Sequence, residues 1–328
     1  MTNPRQRISL PALTTRLRTE SDAYLYLEEL VWGDKPACPH CGSVGNHYFL
    51  NPQGEGRKTR TGAVSERRVW KCADRPCRRQ FSVLTNTVMH GSKIPVRTWL
   101  MVIYEICASK NGVSAREIQR KYELTPKSAW FMLHRLREAM KTDPLAMKFA
   151  GTVIADEAWI GGKSRNKYGT PHADRPRVHS DKAIVFTLID QASGEARSRV
   201  IPDVTAETLG AAISAQVETA ESRLMTDDWR GYLAVGEKFA QGHDTVTHSL
   251  GEYVRGDVTT NKVENFFGQL KRSIDGTFHH VSHEHLHRYL AEFDFRYSTR
   301  KLTDTDRVHR LMGQTRGRRL AYRPLTNG

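Results

Sequence analysis

Three acidic residues stand at places where a folded chain could bring them together. Val153 and Ile154 lead into Asp156-Glu157, Leu224-Met225-Thr226 leads into Asp227-Asp228, and Glu264 falls on a predicted helix with Phe267 and Leu270. Three converging carboxylates can hold two hard cations through oxygen, the ligand Mg²⁺ prefers. Two such ions about 4 Å apart can activate an attacking oxygen and stabilise the leaving oxygen of a phosphodiester. Taken singly, each residue suits a surface carboxylate or a helix cap equally well. Strand alternation points the members of each acidic doublet to opposite sides, so one of each pair should face the ions.

Four of the five cysteines form two pairs, Cys38-Pro39-His40-Cys41 and Cys72-x4-Cys77. The first has the knuckle spacing that lets two thiolates grip one tetrahedral Zn²⁺; the second is wider by two residues. A ribbon of this size has little core, so bound zinc would supply much of its folding energy. His40 lies inside the first knuckle and could compete as a ligand. Cys107 shares a helical face with Val96, Leu100 and Ile103 and reads as a buried small apolar residue.

Nine basic residues lie between Arg57 and Arg79: Arg57, Lys58, Arg60, Arg67, Arg68, Lys71, Arg75, Arg78 and Arg79. With Trp70 and Phe81 interleaved, they suggest a phosphate-contacting face on the zinc scaffold. A three-helix unit follows. Pro95 opens a helix stopped near Asn111-Gly112, Ser114-x-x-Glu117 is a capping box for a second carrying Ile118 and Tyr122, and Thr125-Pro126 opens a third to about Met140. This spacing matches a helix-turn-helix, whose last helix enters the DNA major groove, with Lys127 and Arg135 available for phosphate.

Strands and helices between residues 149 and 300 would have to carry these carboxylates to one place. Strands are expected at Ala183 to Ile189, Arg197 to Ile201, Leu224 to Thr226 and Thr245 to Thr247, besides the one ending at Asp156. Helices are expected after Thr205, with Leu209, Ala212, Ile213 and Val217 on one face, at Tyr232 to Phe239, and after Thr260 or Asn261. The order β-β-β-α-β-α-β-α fits a mixed sheet of three antiparallel strands extended by two more. It is the order of the ribonuclease-H fold, in which the first and fourth strands are neighbours.

The charge distribution agrees. The chain has 328 residues and a formal net charge of +14, which points to a polyanionic partner. Residues 1–150 hold 25 Lys+Arg against 13 Asp+Glu, residues 151–300 hold 18 against 21, and residues 301–328 hold 7 against 2. Basic flanks thus enclose a slightly acidic block. No apolar run reaches the roughly 18 residues of a membrane span, and the N-terminus lacks a signal-peptide core, so a cytoplasmic protein free of the membrane is expected.

At this point the chain resembles the DDE transposases of bacterial insertion sequences, in the subgroup with an N-terminal zinc ribbon. The resemblance rests on AYLYLEELVWGDKPACPHCGS, WKCADRPCRRQFSVLTNTVMHGSKIPVRTWL, VIADEAWIGGK, LMTDDWRGY and TTNKVENFFGQLKRSIDGTFHHVSHEHLHRYLAEFDFRYSTRK. It implies Asp156, Asp227 and Glu264 as the catalytic, Mg²⁺-binding trio, with Mn²⁺ as a substitute. It also implies structural Zn²⁺ on Cys38, Cys41, Cys72 and Cys77. The implied partners are the element's terminal inverted repeats, target DNA, and further copies of the chain in a dimeric or larger synaptic assembly. Ser298 stands where the family's ending leads one to expect asparagine.

The resulting α/β reading has five parts: an N-terminal helical segment (1–37), the zinc ribbon (38–92), the helix-turn-helix (93–148), the ribonuclease-H-like domain (149–300) and a basic tail (301–328). Lys271 and Arg272, about two turns past Glu264, are further candidates for DNA contact. Gly162-Lys163-Ser164 lacks the first glycine of a phosphate loop. His283-x3-His287, within a histidine-rich stretch, has metal-ligand spacing but no third ligand. Two rivals remain: a zinc-ribbon regulator with an inactive nuclease-like domain, and a structure-specific nuclease of the same fold.

Overall fold

Leu10–Arg16 (α1) and Glu20–Trp32 (α2) precede the first cysteine. Thr19 and Asp22 form a reciprocal capping box that starts α2. A computed structural model of the chain describes residues 8–50, 66–143, 146–161, 182–247 and 254–322. These fall into two compact units, one within 1–140 and 302–328, the other within 141–301.

In the first unit, His47–Phe49 (β1), Trp70–Cys72 (β2) and Gln80–Phe81 (β3) form a small antiparallel sheet in the order β1-β2-β3. Three helices follow: Val96–Ala108 (α3), Ala115–Lys121 (α4) and Pro126–Met140 (α5). Ser114 Oγ accepts from the Glu117 amide and Thr125 Oγ1 from that of Ser128, so both helix starts are capped. Tyr122 falls just beyond α4 as its C-cap, and its hydroxyl reaches back to Glu105 on α3 at 2.7 Å. Cys107 is buried, 1% exposed.

The basic tail is partly structural. Asp304–Gln314 (α10, the last helix) buries Val308, Leu311 and Met312 in this first unit. Arg307 and Arg318 donate to the carbonyls of Cys107 and Glu138, and Arg316 donates to that of Val31. Much of the tail's charge is therefore spent on main-chain oxygens.

The second unit is built on a five-stranded mixed sheet of Phe149–Ile160 (β4), Ala183–Asp190 (β5), Ala196–Ile201 (β6), Val217–Asp227 (β7) and His243–Val246 (β8). Its order is β6-β5-β4-β7-β8; β4, β5 and β6 run antiparallel in succession, whereas β4–β7 and β7–β8 are parallel. Ala206–Ser214 (α6) and Leu233–Gly236 (α7) pack on one face, around Leu209, Ile213, Tyr232 and Val235. Asn261–Ser273 (α8) and His283–Ser298 (α9) cover the other with Val263, Phe266, Leu270, Leu286 and Leu290. No described helix is long and apolar enough to cross a membrane.

Two sequence expectations change and one element is new. The helix after Thr205 ends at Ser214, and Val217 begins β7 opposite Phe149 instead of continuing the helical face. The helix expected over Tyr232 to Phe239 contracts to α7 behind a 3₁₀ turn at Arg230–Tyr232. A hairpin of Val254–Arg255 (β9) and Val258–Thr259 (β10), unforeseen, leads into α8. Asp257 at its turn pairs with Arg223 of β7, which also holds Asp244 of β8 at 2.7 Å, so ionic contacts tie the approach to α8 to the sheet.

Ser298 acquires a role at the sheet edge. Its Oγ accepts from the Ala196 amide at 3.0 Å, and Asp294, one turn earlier on α9, accepts from the Ser198 amide at 2.8 Å and the Ser198 hydroxyl at 2.6 Å. Side chains four apart on a helix and amides two apart on a strand have nearly the same rise, so α9 satisfies the outward N–H groups of Ala196 and Ser198 on edge strand β6. Over these residues α9 covers the edge that would otherwise be open to strand pairing.

Candidate functional site

Alternation along β4 decides which acid faces which side. Ile154 and Ala158 pack with Val263 and Phe266 of α8, whereas Val153 and Ala155 pack with Leu209 and Tyr232. Asp156 therefore shares the α8 side, and Glu157 points to the opposite side. There the Tyr232 hydroxyl donates to Glu157 Oε2 at 2.5 Å. On β7, Met225 lies on the α8 side and Leu224 on the other, so the same parity puts Asp227 with Asp156.

The register brings these two acids level. The last residues paired between β4 and β7 are Ile154 and Met225; Asp156 and Asp227 each lie two further on, where the two strands have parted, Asp156 within β4 opposite Thr187 of β5 and Asp227 at the end of β7 opposite Val246 of β8. Glu264 enters from the first turn of α8, where its Oε1 accepts from the hydroxyl of Thr260, the N-cap, at 2.9 Å. A helix N-terminus favours a carboxylate there.

Electrostatics report the convergence. Burial and the charge of Glu157 push the Asp156 carboxyl up to about 8, with the Glu157 amide pulling the other way and Asp227 and Glu264 adding to the rise. Glu157 is also raised, first by burial and then by Asp227, against the pull of its hydrogen bond from Tyr232. Burial beside these acids holds the Tyr232 phenol far above its ordinary range, so it stays a donor. Asp228 is exposed. Such a set gains from a divalent cation, which relieves the repulsion and offers its oxygens a ligand.

The four cysteines form the tighter cluster. Cys38 Sγ lies 3.8 Å from Cys77 Sγ, and Cys41 Sγ 3.6 Å from Cys72 Sγ. All four sulfurs fall within 4.8 Å of one another. A tetrahedron with Zn–S bonds of about 2.3 Å has S···S edges of about 3.8 Å, so these thiols fit a structural Zn²⁺. Gly42, at φ 78°, makes the tight turn of the first knuckle. The two extra residues of the second pair are taken up by a turn in which the Cys77 and Arg78 amides both donate to Asp74 O. His40 stays outside the sulfur cluster, its ring against the Gln80 carbonyl at 3.3 Å. Among the described residues no other set of three or more His, Cys, Asp or Glu side chains is this compact. Asp156, Asp227 and Glu264 do not form so compact a group, and neither do the histidines of 279–287.

The basic candidates divide. Arg67, Arg78, Arg79, Lys127, Lys271 and Arg272 are exposed. Lys127 lies over the Tyr322 ring, 4.4 Å from its centroid. Arg68 is instead committed to Glu28 at 2.9 Å and lies against Phe49 and Trp70, while Glu28 also accepts from Trp70 Nε1. Arg135 is buried, donates to the His90 carbonyl and stacks on Trp99 and Phe131. For these two the assignment to phosphate contact is corrected: the packing of the first unit takes up their charge. Arg57, Lys58, Arg60 and the Gly162-Lys163-Ser164 motif lie outside the described residues. Sequence reasoning named Tyr232 only as the start of the helix expected to run to Phe239 and missed it as a site residue, because nothing local signals its hydrogen bond to Glu157.

Known proteins give the same two-part picture. Residues 148–298 match the ISXO2-like transposase domain, and residues 18–80 match the transposase zinc-ribbon domain. The chain is 26% identical over 287 residues to an uncharacterized protein in transposable element ISH50 of Halobacterium salinarum, covering 85% of this chain and 90% of that protein. With a zinc-ribbon match holding four clustered thiols ahead of a transposase-domain match, the chain is similar in both of its parts to zinc-ribbon transposases of insertion sequences.

Proposed function

We propose that the chain is a DNA transposase that binds the terminal inverted repeats of its element, cleaves the DNA at the element ends and joins the freed 3′-hydroxyls to target DNA. The observation that carries this reading is the placement of Asp156 and Asp227 on one face of two adjacent parallel strands, with Glu264 of α8 raising Asp156 from the same side. The strand order, with the first strand flanked by the second and the fourth, supports a ribonuclease-H-like catalytic domain.

Asp156, Asp227 and Glu264 are the residues to hold Mg²⁺. When bound, the metal supplies a polarised nucleophile and charge stabilisation at the phosphodiester. The chain's own contribution is positional. The sheet sets Asp156 and Asp227 level, Thr260 orients Glu264, and the Trp229 amide donates to Asp227 Oδ1 at 3.2 Å. Tyr232 holds Glu157 on the far face, so that it does not compete. No protein nucleophile is required, because water and then the DNA end attack.

The exposed arginines of the ribbon and the start of α5 are the DNA-binding surface in this reading. The α4–α5 pair acts as a helix-turn-helix, with α5 as recognition helix. Two ends must be processed together, so the active form is a dimer or larger. The test is incubation of the full-length protein and Mg²⁺ with labelled element ends and a target plasmid. Joined product supports the transposase, cut product alone means a nuclease of the same fold, and binding without either means a regulator.

A further inference from the structure

Trp229 lies two residues past Asp227 with its side chain 48% exposed, on a segment where a large aromatic has no core to fill. Its geometry is nevertheless fixed. The main-chain amide is bonded to the Asp227 carboxylate, and the indole Nε1 donates to the Val204 carbonyl at 3.4 Å. Gly231 makes this arrangement possible. A Cβ at that position would come within 2.8 Å of the indole Nε1 and 2.9 Å of Val204 O, and the latter is main chain that cannot swing away. The indole is thus anchored at its base and along one edge, while much of the ring stays open to solvent. Arg230 beside it is exposed, and Leu233, one turn on, is 58% exposed.

A rigid, open π-face next to a carboxylate site, flanked by a guanidinium and an apolar rim, matches one kind of ligand group closely. A nucleobase stacks on an aromatic ring whatever its sequence, and the neighbouring phosphate suits an arginine. We propose that Trp229 is a stacking platform for one unpaired nucleobase of the DNA strand at the Asp156–Asp227 site, with Arg230 on the adjoining phosphate and Gly231 as the residue that keeps the indole in place. The proposal rests on the reading of that site as one that processes DNA. It adds a requirement: the base must leave the duplex stack, which costs least at a nick or a strand end. The platform therefore favours frayed or already nicked ends.

The test uses the full-length protein carrying Asp156→Asn, which blocks chemistry, and a duplex with a short single-stranded tail containing 2-aminopurine. Stacking quenches that fluorophore. The platform predicts quenching on binding, its loss with Trp229→Ala, its retention with Trp229→Phe, and its loss with Gly231→Val. Affinity for the tailed DNA should fall about tenfold in Trp229→Ala, a typical value for one stacked base. Affinity for blunt duplex should stay unchanged, which also shows that the variant is folded. Equal quenching in wild type and Trp229→Ala overturns the platform. So does a change of oligomeric state in Trp229→Ala with unaltered quenching, which would assign the indole to a protein interface. Because this readout needs no cleavage, Trp229-dependent quenching together with no cutting or joining by the protein that retains Asp156 would sink the transposase reading and leave the platform standing. Normal cutting and joining by Trp229→Ala, with unaltered quenching, would do the reverse.

Discussion

The Tyr232 hydroxyl donates to Glu157 at 2.5 Å, on the face of the sheet opposite Asp156. This bond settles which acid of the Asp156-Glu157 doublet is engaged elsewhere. Tyr232→Phe should destabilise the protein by about 1–3 kcal/mol, the cost of a buried hydrogen bond to a carboxyl group, and leave joining activity within a few-fold of wild type. Thermal melts beside a joining assay measure both. A variant that melts normally but has lost all activity would move Glu157 into the catalytic set.

Zinc should be bound at one ion per chain, since one four-sulfur cluster is present among the described residues. Replacing Cys41 or Cys77 by serine should remove the metal and the ribbon's protection from protease, because a structural zinc site carries much of such a module's folding energy. Residues 141–301 form a separate unit and should keep their own melting transition. Metal analysis by atomic emission, with limited proteolysis, checks this; full zinc content in Cys77→Ser would rule out the four-thiol site.

The exposed and committed arginines should behave differently. Arg78→Ala and Arg79→Ala should weaken DNA binding and each lower the salt-dependence slope by about 0.9, as for one lost phosphate contact. Arg68→Ala and Arg135→Ala should instead lower the melting temperature, since their partners are Glu28 and the His90 carbonyl. Binding titrations over a range of salt concentrations separate the two groups.

Asp294, buried against Ser198 on the capped edge strand, gives a pH dependence of known sign. Burial raises its carboxyl to about 7, although both hydrogen bonds from Ser198 and the charge of Arg197 pull it down. The folded chain then holds a proton that the unfolded chain, with an ordinary value of 3.8, has released. Stability contributed by this group therefore falls as pH rises from about 4 to about 7 and levels off above. Asp294→Asn should flatten that part of the profile in denaturant titrations at several pH values. Ser298→Ala, which leaves the Ala196 amide without its acceptor, should cost about 1 kcal/mol at any pH.

The legible parts of this chain were those with short-range signals. Apolar segments ending in Asp156 and Asp227 announced strands, caps at Ser114, Thr125 and Thr205 announced helices, and cysteine spacing announced the ribbon. What stayed hidden depends on partners distant in sequence. Arg68 reads as a phosphate ligand until Glu28, forty residues away, is seen to hold it. Ser298 has no evident purpose until β6 lies beside it. The docking of α10 against the first unit, and the β9–β10 hairpin held by Arg223, likewise rest on long-range contacts that no local pattern encodes.

The acidic trio is tested most directly by strand transfer by Asp156→Asn on pre-cleaved element ends with Mg²⁺. Asparagine keeps the size of the side chain and removes its charge, so end binding and melting should match wild type while joined product drops below detection. Joining at wild-type rates by this variant would contradict the assignment of Asp156, Asp227 and Glu264 as the metal-binding site.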